Sequence, residues 1–148
     1  MFHKVKEVSP LPDFCLSVVF VEGVRKIYNM TPLIAHHHAF APLKDNLMLF
    51  NDVKVDAGGY GISWNDDIDL SCNELYENGQ EIETPFTHLM SFADATELWG
   101  LNESTLRKAV AHGKLVNGID ANKYGKQWIV TLDAMLREYG EPEHKKAA

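Results

Sequence analysis

The chain has 148 residues, of which 45% are hydrophobic and 24% are charged, and its formal net charge is -7. This length suits one ordinary domain or two small ones, and the composition is that of a globular rather than a disordered protein. No run approaches the ~20 apolar residues of a membrane-spanning helix, and the N-terminus lacks the apolar core of a signal peptide, so we expect a cytoplasmic protein without a membrane partner.

The charge is distributed unevenly along the chain. Residues 1–88 carry six Lys and Arg against thirteen Asp and Glu, which leaves -7, whereas residues 89–148 carry eight of each sign. If the second part binds nucleic acid, the acidic first part must be held away from the phosphates.

In the first part, apolar residues alternate with the two-residue period of β-strands. Residues 14–21 (FCLSVVFV) predict a strand, Glu22 and Gly23 predict a turn, and VRKIYNM predicts the returning strand of a hairpin. The inward face of the first strand is expected to carry Phe14, Leu16, Val18 and Phe20. Thr31 and Pro32 are typical of the start of a short helical segment.

A second hairpin is predicted around the turn at residues 56–59, which are Asp-Ala-Gly-Gly. Its strands are rich in β-branched and aromatic residues, namely Val53, Val55, Tyr60, Ile62 and Trp64. Residues 1–79 are therefore expected to form a small, mainly antiparallel β-rich domain. Residues 80–88 (QEIETPFTH) lose both periods and are predicted to be a linker, with the second domain at residues 89–140 and a polar tail at residues 141–148.

In the second part, apolar residues recur with the spacing of α-helices. Ser91, followed by Asp94, predicts the start of one helix, and Gly100 predicts its end. Asn102 is expected to cap a second helix that ends near Gly113. On a helical wheel the apolar side of this second helix carries Leu106, Ala109 and Val110.

The segment KYGKQWIV predicts a β wing, with a turn at Gly125 and inward Trp128 and Val130, and Thr131 predicts the start of a closing helix. Small, polar and basic side chains on the second helix and on the wing are the groups that base edges and phosphates require.

The ordered series DATELWGLN, STLRKAVAHGKL and YGKQWIVTLDAM resembles the excisionase-like and MerR-like helix-turn-helix proteins over residues 91–139. In those families a short helix, a Gly turn, a recognition helix ending in a Gly-basic-Leu step and a basic wing occur in this order. The resemblance implies binding of double-stranded DNA through the second helix. With the cations of the helix end and of the wing added, the predicted contact residues are Ser104, Thr105, Arg107, Lys108, His112, Lys114, Lys123 and Lys126.

Residues 1–79 resemble an uncharacterised bacterial family known only as a domain of unknown function. The matching stretches are VSPLPDFCLSVVF, FAPLKDNLMLFNDVKVD and GISWNDDIDLSCNELY. Such domains occur alone or joined to a helix-turn-helix domain, often in small regulatory or toxin-antitoxin-like contexts, and the resemblance implies no active site.

Rival chemistries have weaker support. Three adjacent histidines, residues 36–38, lack the i, i+4 spacing of helical metal ligands, so an exposed loop or helix end is expected. Cys15 and Cys72 lie far apart without a CxxC partner, which favours reduced, buried thiols over a disulfide framework or zinc ribbon. A solvated turn and helix start are expected for the acidic cluster, Asp66, Asp67, Asp69, Glu74 and Glu77.

The sequence thus predicts an α+β protein with a small antiparallel β-rich N-terminal domain and a C-terminal helix-turn-helix domain with a β wing. We expect a bacterial DNA-binding transcriptional regulator or antitoxin-like component, which is not an enzyme and uses no cofactor or metal. Because one module makes few phosphate contacts, a homodimer joined through the N-terminal domain is expected. The alternative is a non-enzymatic adaptor whose helix-turn-helix-like domain binds a protein partner.

Overall fold

Residues 2–142 of the chain are described by a computed structural model, and they divide into two units. Of the described residues, the N-terminal unit comprises Phe2–Phe20 and Val24–Pro85, and the C-terminal unit comprises Val21–Gly23 and residues 86–142. Most of the predicted polar tail, residues 143–148, lies outside the described residues.

The N-terminal unit begins with the three strands β1 (Val5–Leu11), β2 (Cys15–Phe20) and β3 (Arg25–Asn29), joined as consecutive antiparallel neighbours. The predicted hairpin is confirmed, since β2 pairs with β3 in the register Leu16 to Tyr28. Its alternating pattern places Leu16, Val18 and Phe20 in the core, fully buried. Strand β1 was not predicted, and Phe14 lies in the turn before β2 rather than within the strand.

Three short helices follow β3. They are α1 (Thr31–His36), α2 (Pro42–Asp45) and α3 (Leu47–Asn51). Helix α1 begins at Thr31 and Pro32, as predicted. Leu43 and Phe50 place the apolar sides of α2 and α3 in the core. All three adjacent histidines are exposed at the end of α1 and in the turn after it, as predicted.

The second predicted hairpin is also present. Strand β4 (Lys54–Val55) pairs with β5 (Gly61–Asn65), and β5 pairs with β6 (Ile68–Ser71), so that a three-stranded antiparallel sheet results. The Trp64 indole nitrogen on β5 donates to the Phe50 carbonyl oxygen at 3.0 Å.

Helix α4 (Cys72–Asn78) is capped by Ser71, whose hydroxyl accepts from the Glu74 amide at 3.1 Å. The Glu74 carboxylate accepts from the Tyr28 hydroxyl at 2.7 Å, and burial together with this hydrogen bond raises the pKa of Tyr28. Glu74 is thus at a helix start, as expected, and also fastens α4 to β3. Of the two thiols, Cys72 is buried as predicted, whereas Cys15 is only half-buried.

The expected linker at residues 80–88 is not wholly irregular. Strand β7 (Gln80–Ile82) pairs antiparallel with β3, which completes a four-stranded sheet in the order β1-β2-β3-β7. The predicted linker was wrong for these three residues, because backbone pairing with β3 makes them part of the sheet. So short a strand has no detectable alternation of polar and apolar residues.

The C-terminal unit starts with β8 (Leu89–Ser91), which was not predicted. It continues with α5 (Phe92–Trp99), α6 (Glu103–Ala111), β9 (Ala121–Tyr124), β10 (Gln127–Thr131) and α7 (Leu132–Tyr139). The strands form an antiparallel sheet in the order β8-β10-β9. Its core is closed by Met90, Phe92, Ala95, Trp99, Leu106, Leu115, Val130, Ala134 and Met135.

The predicted fold class is therefore confirmed: antiparallel sheets dominate the N-terminal unit, and a helix-turn-helix arrangement with a β wing forms the C-terminal unit. Among residues 2–142, no helix combines the length and the apolar content needed to cross a bilayer.

Candidate nucleic-acid interface

The turn between α5 and α6 has the geometry that its glycine predicts. The Ser91 hydroxyl caps α5 by accepting from the Asp94 amide at 3.1 Å. At the other end Gly100 adopts a left-handed conformation with φ 69°, and the Leu101 amide donates to the Thr96 carbonyl at 2.9 Å. Asn102 occupies the N-cap position of α6, but its side chain makes no capping hydrogen bond, which corrects the predicted cap.

The end of α6 explains the Gly-Lys-Leu step. Gly113 has φ 82°, its amide donates to the Val110 carbonyl at 3.1 Å, and the Lys114 amide donates to the Ala109 carbonyl at 2.9 Å. These two bonds form a Schellman motif, which satisfies carbonyls at the helix end and turns the chain sharply. Leu115 is then fully buried in the core. The step therefore fixes where α6 ends.

Helix α6 presents a polar stripe opposite its buried side. Leu106 and Ala109 are buried, and at 100° per residue the opposite direction is occupied by Ser104 and Lys108. One flank of the stripe carries Glu103 and Arg107, and the other carries Thr105 and His112. All six polar side chains belong to exposed residues.

The wing is the β9–β10 hairpin, with its turn at Gly125. Gly125 has φ 61°, and a side chain there would meet no other atom within 4 Å, so the turn projects away from the unit. Lys123 lies opposite Trp128 in the register, on the face that Trp128 shares with the core. The Trp128 ring stacks on Phe92 with ring centroids 5.5 Å apart. This stack holds the wing against the first turn of α5.

A groove of about 300 Å³ lies between α6 and the wing. Three of its lining residues are cations, Arg107 from α6 and Lys123 and Lys126 from the wing. The other polar side chains are Ser91, Glu103 and Gln127, and the apolar wall is formed by Phe92, Ala93 and Trp128. Guanidinium and ammonium groups around a polar recess are suited to oxyanions such as phosphate.

One acidic group enters this groove. The Glu103 carboxylate lies 3.8 Å from Nη1 of Arg107, one helical turn along α6, and the two side chains are 51% and 54% exposed. A charged pair at this distance is longer than a charge-assisted hydrogen bond and is open to solvent. Arg107 is therefore held only loosely.

The predicted contact residues do not form a single cluster. Arg107, Lys123 and Lys126 meet at the groove, while Ser104 and Lys108 lie along the exposed stripe of α6. Lys114 is different, because its ammonium lies 4.5 Å from the centroid of the Tyr139 ring on α7. Thr105 and His112 are exposed on the flank of α6 away from the groove.

Sequence reasoning did not identify Glu103, Gln127 or the aromatic wall as parts of this site. The i, i+4 spacing of Glu103 and Arg107 was a readable signal for the pair. The meeting of Gln127 and Phe92 at one groove depends on the pairing of β8 with β10, which local patterns do not encode.

The acidic cluster of the N-terminal unit has a structural explanation in part. Asp66 and Asp67 occupy the exposed turn between β5 and β6, and the Asn65 side-chain oxygen accepts from the amides of Asp67 and Ile68 at 2.9 and 3.0 Å. These contacts are those of a solvated turn, as expected.

Comparisons with known proteins divide the chain in the same two parts. A family model described as protein of unknown function (DUF2442) matches residues 5–81, and one described as helix-turn-helix domain matches residues 81–144. No curated protein and no solved structure was found to match. The resemblance of the first part to a domain of unknown function, and of the second part to a helix-turn-helix domain, is thereby confirmed.

Proposed function

The chain belongs to the DUF2442 family of proteins of unknown function, and we propose that it is a bacterial DNA-binding regulator that reads double-stranded DNA through its helix-turn-helix domain. It acts in the cytoplasm without enzymatic activity, either in transcription regulation or as an antitoxin-like component.

The observation that carries this proposal is the convergence of Arg107, Lys123 and Lys126 at one groove between α6 and the wing. Cations from two separate elements at one recess allow a phosphate backbone to be held while Ser104 and Lys108, on the adjacent exposed stripe, approach base edges. Backbone contacts position the helix and base contacts supply the sequence preference.

The net charge of -7 is compatible with this function. All of the excess acidity belongs to residues 1–88, and the cations of the groove belong to a neutral segment. A neutral segment gives a modest electrostatic attraction, so affinity depends on the few cations that are well placed and on the number of modules bound.

The test compares two variants with the same change of charge. Arg107→Ala/Lys108→Ala removes two cations of α6, and Lys44→Ala/Lys54→Ala removes two exposed lysines of the N-terminal unit. Affinity is measured by fluorescence anisotropy on a duplex selected by the wild-type protein from a randomised library, at several salt concentrations. We expect the first variant to lose affinity and to flatten the log-log salt slope by about 0.9 for each phosphate contact removed. Equal behaviour of the two variants, or no enrichment of any duplex, would rule out DNA reading by α6.

The regulator is proposed to act as a homodimer joined through the four-stranded sheet. Away from the core, one row across this sheet is uncharged on all four strands: Ser9, Ser17, Ile27 and Gln80. An uncharged row in an otherwise acidic unit allows two copies to approach without repulsion. Light scattering at micromolar concentration is expected to give twice the mass of the chain. A monomer, or a dimer that persists in Ile27→Glu, would refute this interface.

A protein-binding adaptor is the second candidate. It is favoured by two apolar side chains in the C-terminal unit, Ile119 and Tyr124, which are 75% and 64% exposed and line one recess of about 120 Å³. Ile119→Ser/Tyr124→Ser separates the two functions, because a DNA reader that uses the groove keeps its DNA affinity in this variant, whereas an adaptor loses its protein partner.

A further inference from the structure

We propose that Glu103 is a specificity-determining residue that discourages binding of Arg107 to the DNA backbone at non-cognate sequences. This inference rests on the proposed DNA-binding function and concerns the same groove. Among the described residues that line the groove, Glu103 carries the carboxylate, and the inference gives this carboxylate a role in the choice between duplexes.

Glu103 lies where a phosphate in the groove would approach it. Glu103 is the first residue of α6, on the flank that faces the groove, and it lines the same recess as the three cations. A phosphate that enters the groove approaches Arg107, Lys123 and Lys126, and it also approaches the Glu103 carboxylate. The attraction of the phosphate to the three cations is therefore opposed by repulsion from the Glu103 carboxylate, which is negative like the phosphate.

Glu103 and a phosphate compete for Arg107. The 3.8 Å separation of Arg107 Nη1 and Glu103 Oε1 leaves the pair loose, and both side chains are half-exposed. A guanidinium has five donors, so Arg107 binds a guanine edge in a bidentate manner while another donor still faces the Glu103 carboxylate. Arg107 has to turn away from that carboxylate to bind a phosphate of a duplex that lacks the guanine, and Glu103 opposes this movement.

This competition affects the discrimination between duplexes. Specificity is a difference between two affinities, and it increases when an interaction is made unfavourable for the wrong ligand. Non-specific binding is almost wholly electrostatic, so it depends on Arg107 reaching a phosphate, whereas a complex with base contacts lets Arg107 stay beside Glu103. Glu103 therefore lowers affinity mainly for duplexes that lack the cognate bases.

The experiment compares wild type, Glu103→Gln and Glu97→Gln. Glu97 is an exposed glutamate on α5 that does not line the groove, so its replacement gives the same change of net charge at another place. Each protein is titrated with the selected duplex and with a scrambled duplex of the same composition, at about 50 and 200 mM salt. Circular dichroism confirms that each variant is folded.

We expect Glu103→Gln to tighten binding of the scrambled duplex about threefold or more at the lower salt concentration, and to change binding of the selected duplex by less than twofold. Since the freed Arg107 neutralises one more phosphate, the salt slope on the scrambled duplex steepens by about 0.9, so this gain shrinks roughly threefold at the higher salt concentration. Glu97→Gln is expected to resemble wild type on both duplexes.

Two results would overturn the inference alone. One is equal behaviour of Glu103→Gln and Glu97→Gln, which would reduce the effect to overall charge, and the other is an equal gain on both duplexes. If the wild-type protein selects no duplex at all, the proposed function fails and this role of Glu103 fails with it. Titration with inorganic phosphate, followed by the NMR resonance of the Arg107 side-chain Nε–H, then reports whether the groove still binds an oxyanion.

Discussion

Arg137 on α7 binds both carboxylate oxygens of Asp120, with Nη1 to Oδ1 at 3.2 Å and Nη2 to Oδ2 at 2.8 Å. The Asp120 side chain is 7% exposed and also accepts from the Val116 amide at 2.8 Å. The backbone of Asp120 accepts from the Thr131 amide at 3.0 Å. Asp120 thus ties the loop before the wing to both ends of α7, to Arg137 in its last turn and to Thr131 at its N-cap.

This pair predicts a pH dependence of stability. The Arg137 guanidinium and the Val116 amide lower the pKa of Asp120 below its unfolded value of about 3.9. Folding therefore favours the ionised carboxylate. The stabilisation is complete above the unfolded pKa and is lost as the pH falls through the lower, folded pKa.

We expect Asp120→Asn to lower the melting temperature at pH 7 by several degrees and to flatten the decline of stability below about pH 4. Thermal unfolding from pH 2 to pH 7 measures both effects. Asp133→Asn, which neutralises an exposed carboxylate at the start of α7, serves as the control. Parallel pH profiles of wild type and Asp120→Asn would contradict the assignment.

The two helix starts of the helix-turn-helix differ in a way that mutation can measure. The Ser91 hydroxyl caps α5, whereas the Asn102 side chain makes no capping bond to α6. Ser91→Ala is therefore expected to lower the free energy of unfolding by about 1 kcal/mol, and Asn102→Ala by clearly less. Urea denaturation followed by circular dichroism gives both values. A larger loss in Asn102→Ala would mean that its side chain caps α6 in solution.

Local patterns predicted the elements whose signal lies within one segment. The strand with Leu16 and Val18, the cap at Ser91 and the glycine turn at Gly100 follow from period, side-chain chemistry and backbone freedom within a few residues. Strands β7 and β8 have three residues each and are stabilised by partners far along the chain, β3 and β10, so no local period marks them.

The candidate site was predictable to the same extent. The exposed stripe of α6 follows from its own wheel, and a wing turn follows from Gly125 with its flanking lysines. That Arg107 shares a groove with Lys123 and Lys126 depends on how α6 and the wing pack on Phe92 and Trp128, which is a property of the folded unit. For the same reason no local pattern indicates that Lys114 lies over Tyr139.

Gly113 is expected to stabilise the end of α6. Its φ of 82° is strained for residues with a Cβ, although a side chain there would meet no atom within 4 Å. Gly113→Ala should therefore cost about 1 kcal/mol of stability through backbone strain alone. Gly113→Asn should cost less, because asparagine adopts the left-handed conformation more readily. Urea denaturation of both variants checks the order, and equal losses would point to a cause other than backbone conformation.

Lys126 and Lys114 were predicted as DNA contacts on equal terms, and the structure separates them. Lys126 lines the groove between α6 and the wing, whereas the ammonium of Lys114 lies over the Tyr139 ring. We expect Lys126→Ala to weaken binding to all duplexes similarly and to reduce the log-log salt slope by about 0.9, because a phosphate contact carries no sequence information. Lys114→Ala should leave the slope nearly unchanged, since its cation is engaged within the unit. Salt titrations by fluorescence anisotropy measure both slopes, and an equal loss of slope in the two variants would show that Lys114 leaves Tyr139 to bind DNA.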